Sequence, residues 1–139
     1  MRREEKYPNT STFKFHNENP FNKYTTDCVV RAIALATGEQ WGYTMSMLVN
    51  TSFKTGLMFN DKLCYGKYLE SEGWIKQKQP RKIDNTKYTG VEFCEQLSNG
   101  RKIIAHIGGT HIVAIIGDKV YDTWDSTDGT IGNYWVKGE

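Results

Sequence analysis

The sequence predicts an α+β fold, and two observations carry that prediction. Helical apolar spacing runs from about residue 26 to about residue 97. From Arg101 onward the pattern switches to consecutive Ile- and Val-rich runs at 102–107, 111–116 and 119–124, broken by Gly108-Gly109 and Gly117-Asp118. Helices followed by strands make an α+β domain, here with the helices packed on one side of a C-terminal antiparallel sheet. At 139 residues the chain is expected to form one domain with a core that needs no covalent staples.

Residues 1–24 are polar, rich in Asn and interrupted by Pro8 and Pro20, so they are expected to form a polar N-terminal arm. Phe13 and Phe15 can pin a short strand within it. Residues 25–139 then form the single domain. Its first helix spans about 26–36 and stops at Gly38, a residue suited to the left-handed C-cap. Thr25 or Thr26 can accept from the free backbone N–H groups, and Asp27 complements the positive helix end. Cys28, Ala32 and Leu35 share one face, with Val29, Ile33 and Ala36 beside it, which makes this the central buried helix.

A second helix is expected over about 39–52, where Trp41, Met45, Leu48 and Val49 recur at helical spacing. A third begins after Asn60 or Asp61 and ends near Gly73, followed by a short strand at 74–78. The fourth opens on Thr89-Gly90-Val91-Glu92, a capping-box pattern, is anchored by Phe93 and Leu97, and ends near Gly100. A last strand falls at about 132–136.

Composition narrows the function. A formal charge of +2 with scattered Lys and Arg leaves no basic stripe for nucleic acid. No run approaches the roughly 20 apolar residues that span a bilayer, so no membrane partner is expected. Met1-Arg2-Arg3-Glu4-Glu5-Lys6 has no apolar run behind it and does not read as a secretory signal. The three cysteines, at 28, 64 and 94, are widely separated. They suggest reduced thiols and a cytoplasmic protein rather than a disulfide framework. No Cys-x-x-Cys or close His pair points to zinc, and Asp122, Asp125 and Asp128 lack the calcium-loop pattern, so no metal and no cofactor is expected.

The chemistry is concentrated in three residues. Cys28 opens the first helix, His111 opens a strand, and Asp122 lies in the next strand. If the hairpin turn is centred on Gly117-Asp118, Val113 faces Asp122 and His111 faces Trp124. His111 and Asp122 are then diagonal neighbours on one face, within side-chain reach, with Asp125 on the other face and Asp118 in the turn. Asp122 would fix the imidazole, and Trp124 would shield the pair from water. A thiol in the first helical turn beside an imidazolium ionises more readily than a free one. The backbone N–H of Cys28 supplies one oxyanion donor, and the amide of Asn22, six residues upstream, is the candidate for another. Cys64, Cys94 and His106 lack such contexts and read as structural, while His16 in the polar arm is expected to be exposed.

The helix-start Cys28 followed by His111 and Asp122 resembles the papain-like cysteine peptidase superfamily. In that superfamily an amide six residues before the cysteine, usually Gln, commonly donates to the oxyanion, which matches Asn22 in position. Asp122-Thr123-Trp124 is similar to the superfamily's Asn-Ser-Trp, and Asp in that role is familiar from bacteriocin-processing peptidases. More narrowly, Asp27-Cys28-Val29-Val30-Arg31-Ala32, His111-Ile112-Val113-Ala114 and Tyr121-Asp122-Thr123-Trp124-Asp125 resemble small uncharacterised papain-like proteins of phages and Gram-positive bacteria, over about residues 17–136.

The resemblance implies a papain-like fold and a cysteine hydrolase (peptidase, isopeptidase or amidase) acting on a peptide or protein through a thioester. Two alternatives share the scaffold. One is an acyl transferase of transglutaminase type; the other is a catalytically idle binding protein, such as a phage-encoded inhibitor of a host defence protein.

Overall fold

The computed structural model describes residues 1–138; Glu139, the last position of the expected domain, lies outside the described residues. The elements in chain order are α1 (Arg3–Lys6), β1 (Phe13–Phe15), α2 (Cys28–Thr37), α3 (Trp41–Thr55), α4 (Lys62–Ser71), β2 (Trp74–Gln77), α5 (Gly90–Gln96), β3 (Ile103–Ile107), β4 (His111–Ile116), β5 (Lys119–Asp122) and β6 (Ile131–Lys137). The fold class is α+β. No helix among the described residues is long and apolar enough to cross a membrane.

The capping chemistry acts largely as the sequence dictates. Gly38 and Gly56 close α2 and α3 in the left-handed conformation, with φ of 76° and 75°. Asp61 caps α4 by accepting from the Leu63 N–H, and Thr89 with Glu92 forms the expected capping box of α5. α2 is the exception. It starts one to two residues later than expected, so Cys28 is its first residue and Asp27 its N-cap, and the Asp27 side chain makes no cap hydrogen bond. α5 ends at Gln96, ahead of Asn99 and Gly100, which both adopt positive φ.

Two features of the sheet correct the sequence reading. The six strands lie in the order β1-β5-β4-β3-β6-β2, and β1 runs parallel to β5, so the sheet is mixed rather than antiparallel. The N-terminal arm therefore supplies an edge strand, and its Phe13 is fully buried. The helices also occupy both faces. α2, α3 and α4 pack with Ile104, Ile112, Ala114 and Trp135 in one apolar cluster. Phe93 and Cys94 of α5 pack with Ile103, Ala105, Val113 and Ile115 in another. The physical reason is the apolar character of Ile103–Ala105 in β3 and of Ile112–Ile116 in β4. A strand with no polar face must be covered on both sides.

The β4–β5 hairpin sets the site. Gly117 and Asp118 both have positive φ, at 58° and 61°, as a two-residue type I′ turn requires. The Asp118 carboxylate is held by Ser98 Oγ at 2.6 Å and the Gly100 N–H at 2.7 Å. That turn fixes the pairs Ile116 with Lys119, Ile115 with Val120 and Ala114 with Tyr121, the register the sequence predicts. His111 begins β4 and Asp122 ends β5, so both stand at the same end of the hairpin.

Candidate active site

The N-terminus of α2 meets that end of the hairpin and brings Cys28 to His111. His111 Nε2 and Asp122 Oδ2 are 2.5 Å apart. The Cys28 thiol lies beside the same imidazole, close enough for each to shift the other's ionisation. With Nε2 occupied by Asp122, Nδ1 is the ring nitrogen left for the sulfur. The structure thus brings together all three residues of the predicted triad.

Each ionisable group is shifted by its surroundings. Burial alone would pull His111 down, but its hydrogen bonds to Asp122 and Cys28 and their negative charges outweigh it and push the imidazole up to about 9. Burial would raise the Cys28 thiol. The hydrogen bond and charge of His111, the Ile112 N–H and the Arg31 guanidinium together bring it below the ordinary cysteine value. Opposite shifts on adjacent groups favour a thiolate–imidazolium pair.

Asp122 is almost completely buried, and its lone pairs are well used. Oδ1 accepts from the Thr123 N–H at 2.7 Å and from Arg31 at 3.3 Å; Oδ2 accepts from His111 and from Ser126 Oγ at 3.3 Å. Trp124 lies just beyond the end of β5 with its ring centroid 5.1 Å from that of His111, tilted by 38°. It remains 37% exposed. It covers one face of the imidazole but is not the sole shield of the His111–Asp122 bond, because Arg31, Thr123 and Ser126 enclose the carboxylate.

Behind the triad lies a polar network that the sequence reading did not identify. Arg31 donates from Nε to Asp27 Oδ1 at 2.8 Å while its Nη1 reaches Asp122. The other oxygen of Asp27 accepts from Asn19 Nδ2 and Trp41 Nε1, each at 3.0 Å. Asp27 is therefore committed to side chains instead of capping α2. The Asp27-x-x-x-Arg31 spacing is the helical i,i+4 signal for this ion pair.

The oxyanion donors divide. Among the described residues, no side chain caps the α2 terminus, so the Cys28 N–H remains available to a developing negative charge. Asn22 is not brought to the site. It is exposed at φ 54°, its N–H bonds the Asn19 carbonyl at 3.0 Å, and it does not line the opening beside Cys28. The left-handed backbone at Asn22 turns the loop so that spacing along the chain does not become proximity in space. The second donor expected from Asn22 is therefore not provided in this arrangement.

The opening beside Cys28 and His111 has a volume of about 400 Å³ and is bordered by Arg3 and Tyr24 of the arm. Arg3 is fixed there by Thr123 O at 2.7 Å and by the Tyr24 ring, 4.6 Å from its centroid. His16, expected to be exposed, is half-buried and bonds Glu18 at 2.5 Å beside a small recess at Cys28. Cys64 and Cys94 are buried away from the triad, and burial followed by the charges of Asp118 and Glu95 pushes Cys94 up to about 12. Among the described residues, no three His, Cys, Asp or Glu side chains are placed to hold a metal ion.

No family model, curated protein or solved structure matches the chain.

Proposed function

We propose that this chain is a papain-like cysteine hydrolase that cleaves a peptide, isopeptide or side-chain amide bond with a Cys28–His111–Asp122 triad. One observation carries the reading: the His111 imidazole is bonded to the buried Asp122 carboxylate and lies beside the Cys28 thiol, close enough for the two to shift each other's ionisation. A histidine so held can keep its proton beside a thiolate and deliver it when a leaving group needs it.

The steps follow from that geometry. Cys28 Sγ attacks the acyl carbon, and the oxygen that gains charge faces the free N–H at the start of α2. His111 passes its proton to the departing nitrogen as the C–N bond breaks, leaving a thioester on Cys28. His111, now neutral, takes a proton from water as the water oxygen attacks the thioester. The C–S bond breaks and the thiolate–imidazolium pair is restored. Asp122 stabilises the charged imidazole throughout and does not need to change protonation itself.

The opening beside the sulfur supports an active site over an idle scaffold, because the N-terminal arm borders it without filling it. The test is incubation with a pool of peptides that includes isopeptide-linked and amide-bearing members, read by mass spectrometry. Wild type should generate products that Cys28→Ala does not. Identical product sets from the two proteins would contradict the reading.

A further inference from the structure

A larger cleft, of about 520 Å³, adjoins the triad and has a chemical character of its own. It starts one residue from each reacting group, at Val29 after Cys28 and at Thr110 before His111. From there it runs between the start of α4 and the β3–β6 pair.

Its polar lining is mixed, with Asn60, Thr110 and Asn133 offering acceptors as well as donors, and its cations are two lysines. Lys62 and Lys76 both line it, and among the described residues neither has a carboxylate within salt-bridge distance. The one acidic residue on the rim, Asp61, already accepts from the Leu63 N–H at 2.8 Å. Trp135 in the wall is 3% exposed, and its indole N–H has no partner among the described residues. Trp135 borders the cleft, so its indole N–H resonance reports on what occupies it.

In the floor, Tyr65 and His106 are bonded to each other, phenol oxygen to Nε2, at 2.5 Å. Burial, and then the nearby Lys62 and Lys76 charges, lower the His106 basicity. At neutral pH the pair is uncharged and internally satisfied. The two lysines outnumber the one rim carboxylate, Asp61, which is likewise without an ion pair among the described residues.

We propose that this cleft is the subsite for an acidic side chain, Glu or Asp, of the peptide chain that reaches Cys28. The assignment rests on the hydrolase reading only in taking the cleft as a groove for substrate. Lys62 and Lys76 attract the carboxylate, and their charge favours it over the neutral amide of Gln or Asn. Both lysines are exposed, so the attraction is screened by salt.

The test needs no turnover. The ¹⁵N-labelled full chain carrying Cys28→Ser is titrated with acetyl-Gly-Glu-Gly-amide and with its Gln counterpart, and the Trp135 indole N–H resonance is followed. The Glu peptide should shift it saturably and bind about tenfold more tightly than the Gln peptide, the scale of one charge-assisted contact. Lys62→Gln combined with Lys76→Gln should remove that preference while the rest of the spectrum is preserved. Equal binding of the two peptides, no saturable shift with either, or a preference that survives loss of both lysines would each overturn the assignment. The alkylation behaviour of Cys28 in otherwise wild-type protein reads the hydrolase proposal separately, so the two can fail independently.

Discussion

Arg31 donates to Asp122 at 3.3 Å, on the same carboxylate whose other oxygen holds His111 at 2.5 Å. The guanidinium also holds Asp27, so one cation joins the base of α2 to the end of β5. The side chains of Arg31, Asp27 and Asp122 are 11%, 7% and 1% exposed, which places the network out of reach of solvent screening.

Replacing Arg31 by Met should therefore cost stability out of proportion to a single side chain. It leaves the buried Asp27 without a cation and Asp122 with His111 alone, a loss of about 3–5 kcal/mol for breaking a buried pair. Urea unfolding should show the lower midpoint. A change below about 1 kcal/mol, the scale of a surface pair, would show that the network does not hold the hairpin to the helix.

Asp122→Asn keeps the side chain's size and removes the charge that holds the imidazole proton. The Cys28 contribution remains, but the largest upward pull is gone, and His111 should fall below about 9. An NMR titration of the His111 ring measures this directly. An unchanged His111 midpoint would mean that Asp122 does not set its basicity.

The paired shifts also predict how stability depends on pH. A raised His111 alone contributes stability that is present below about 6.5 and lost as pH rises toward about 9. A lowered Cys28 alone contributes stability that is present above the unfolded thiol's value and lost as pH falls through the folded one. Above the folded thiol's lowered midpoint the folded pair holds one proton, as imidazolium with thiolate. Below about 8.5 the unfolded pair also holds one, as thiol with imidazole. The two slopes cancel, so the pair should contribute little pH dependence between the folded thiol's midpoint and about 8.5. Cys28→Ser removes one half of the balance. Relative to wild type, the variant should lose stability as pH rises through this interval, measured as the difference in urea midpoints. Parallel curves for the two proteins would contradict a charged pair.

Asn22 separates position along the chain from position in space. An oxyanion donor is worth on the order of 10²–10³-fold in rate. Because Asn22 is exposed and away from the opening at Cys28, Asn22→Ala should change cleavage of any substrate found in the peptide pool by less than about twofold, as surface substitutions do. A hundredfold loss would show that the loop before α2 closes over the substrate.

The same contrast explains which features are legible in the sequence. The pairing of His111 with Asp122 is legible because a two-residue turn at Gly117-Asp118 permits one register, and strand alternation then chooses Asp122 over Asp118 and Asp125. The start of α2 at Cys28 is legible to within two residues. The parallel edge strand is not, because Phe13–Phe15 is three residues long and too short to show a period. The run Ile103-Ile104-Ala105 does signal a sheet covered on both faces, but it does not say that α5 is the helix that crosses over. Arg31 carries a readable i,i+4 relation to Asp27. Its second partner, Asp122, lies 91 residues away and becomes visible only when the chain is folded.

The most direct test of the central claim is the rate of Cys28 alkylation by iodoacetamide as a function of pH, in wild type and in His111→Ala. A Cys28 thiolate sustained by His111 should react with an apparent midpoint below the ordinary thiol value of about 8.5. In His111→Ala that advantage should disappear and the midpoint should rise. If Cys28 reacts with a midpoint near 8.5 in both proteins, the thiol is not activated and the triad is not a catalytic one.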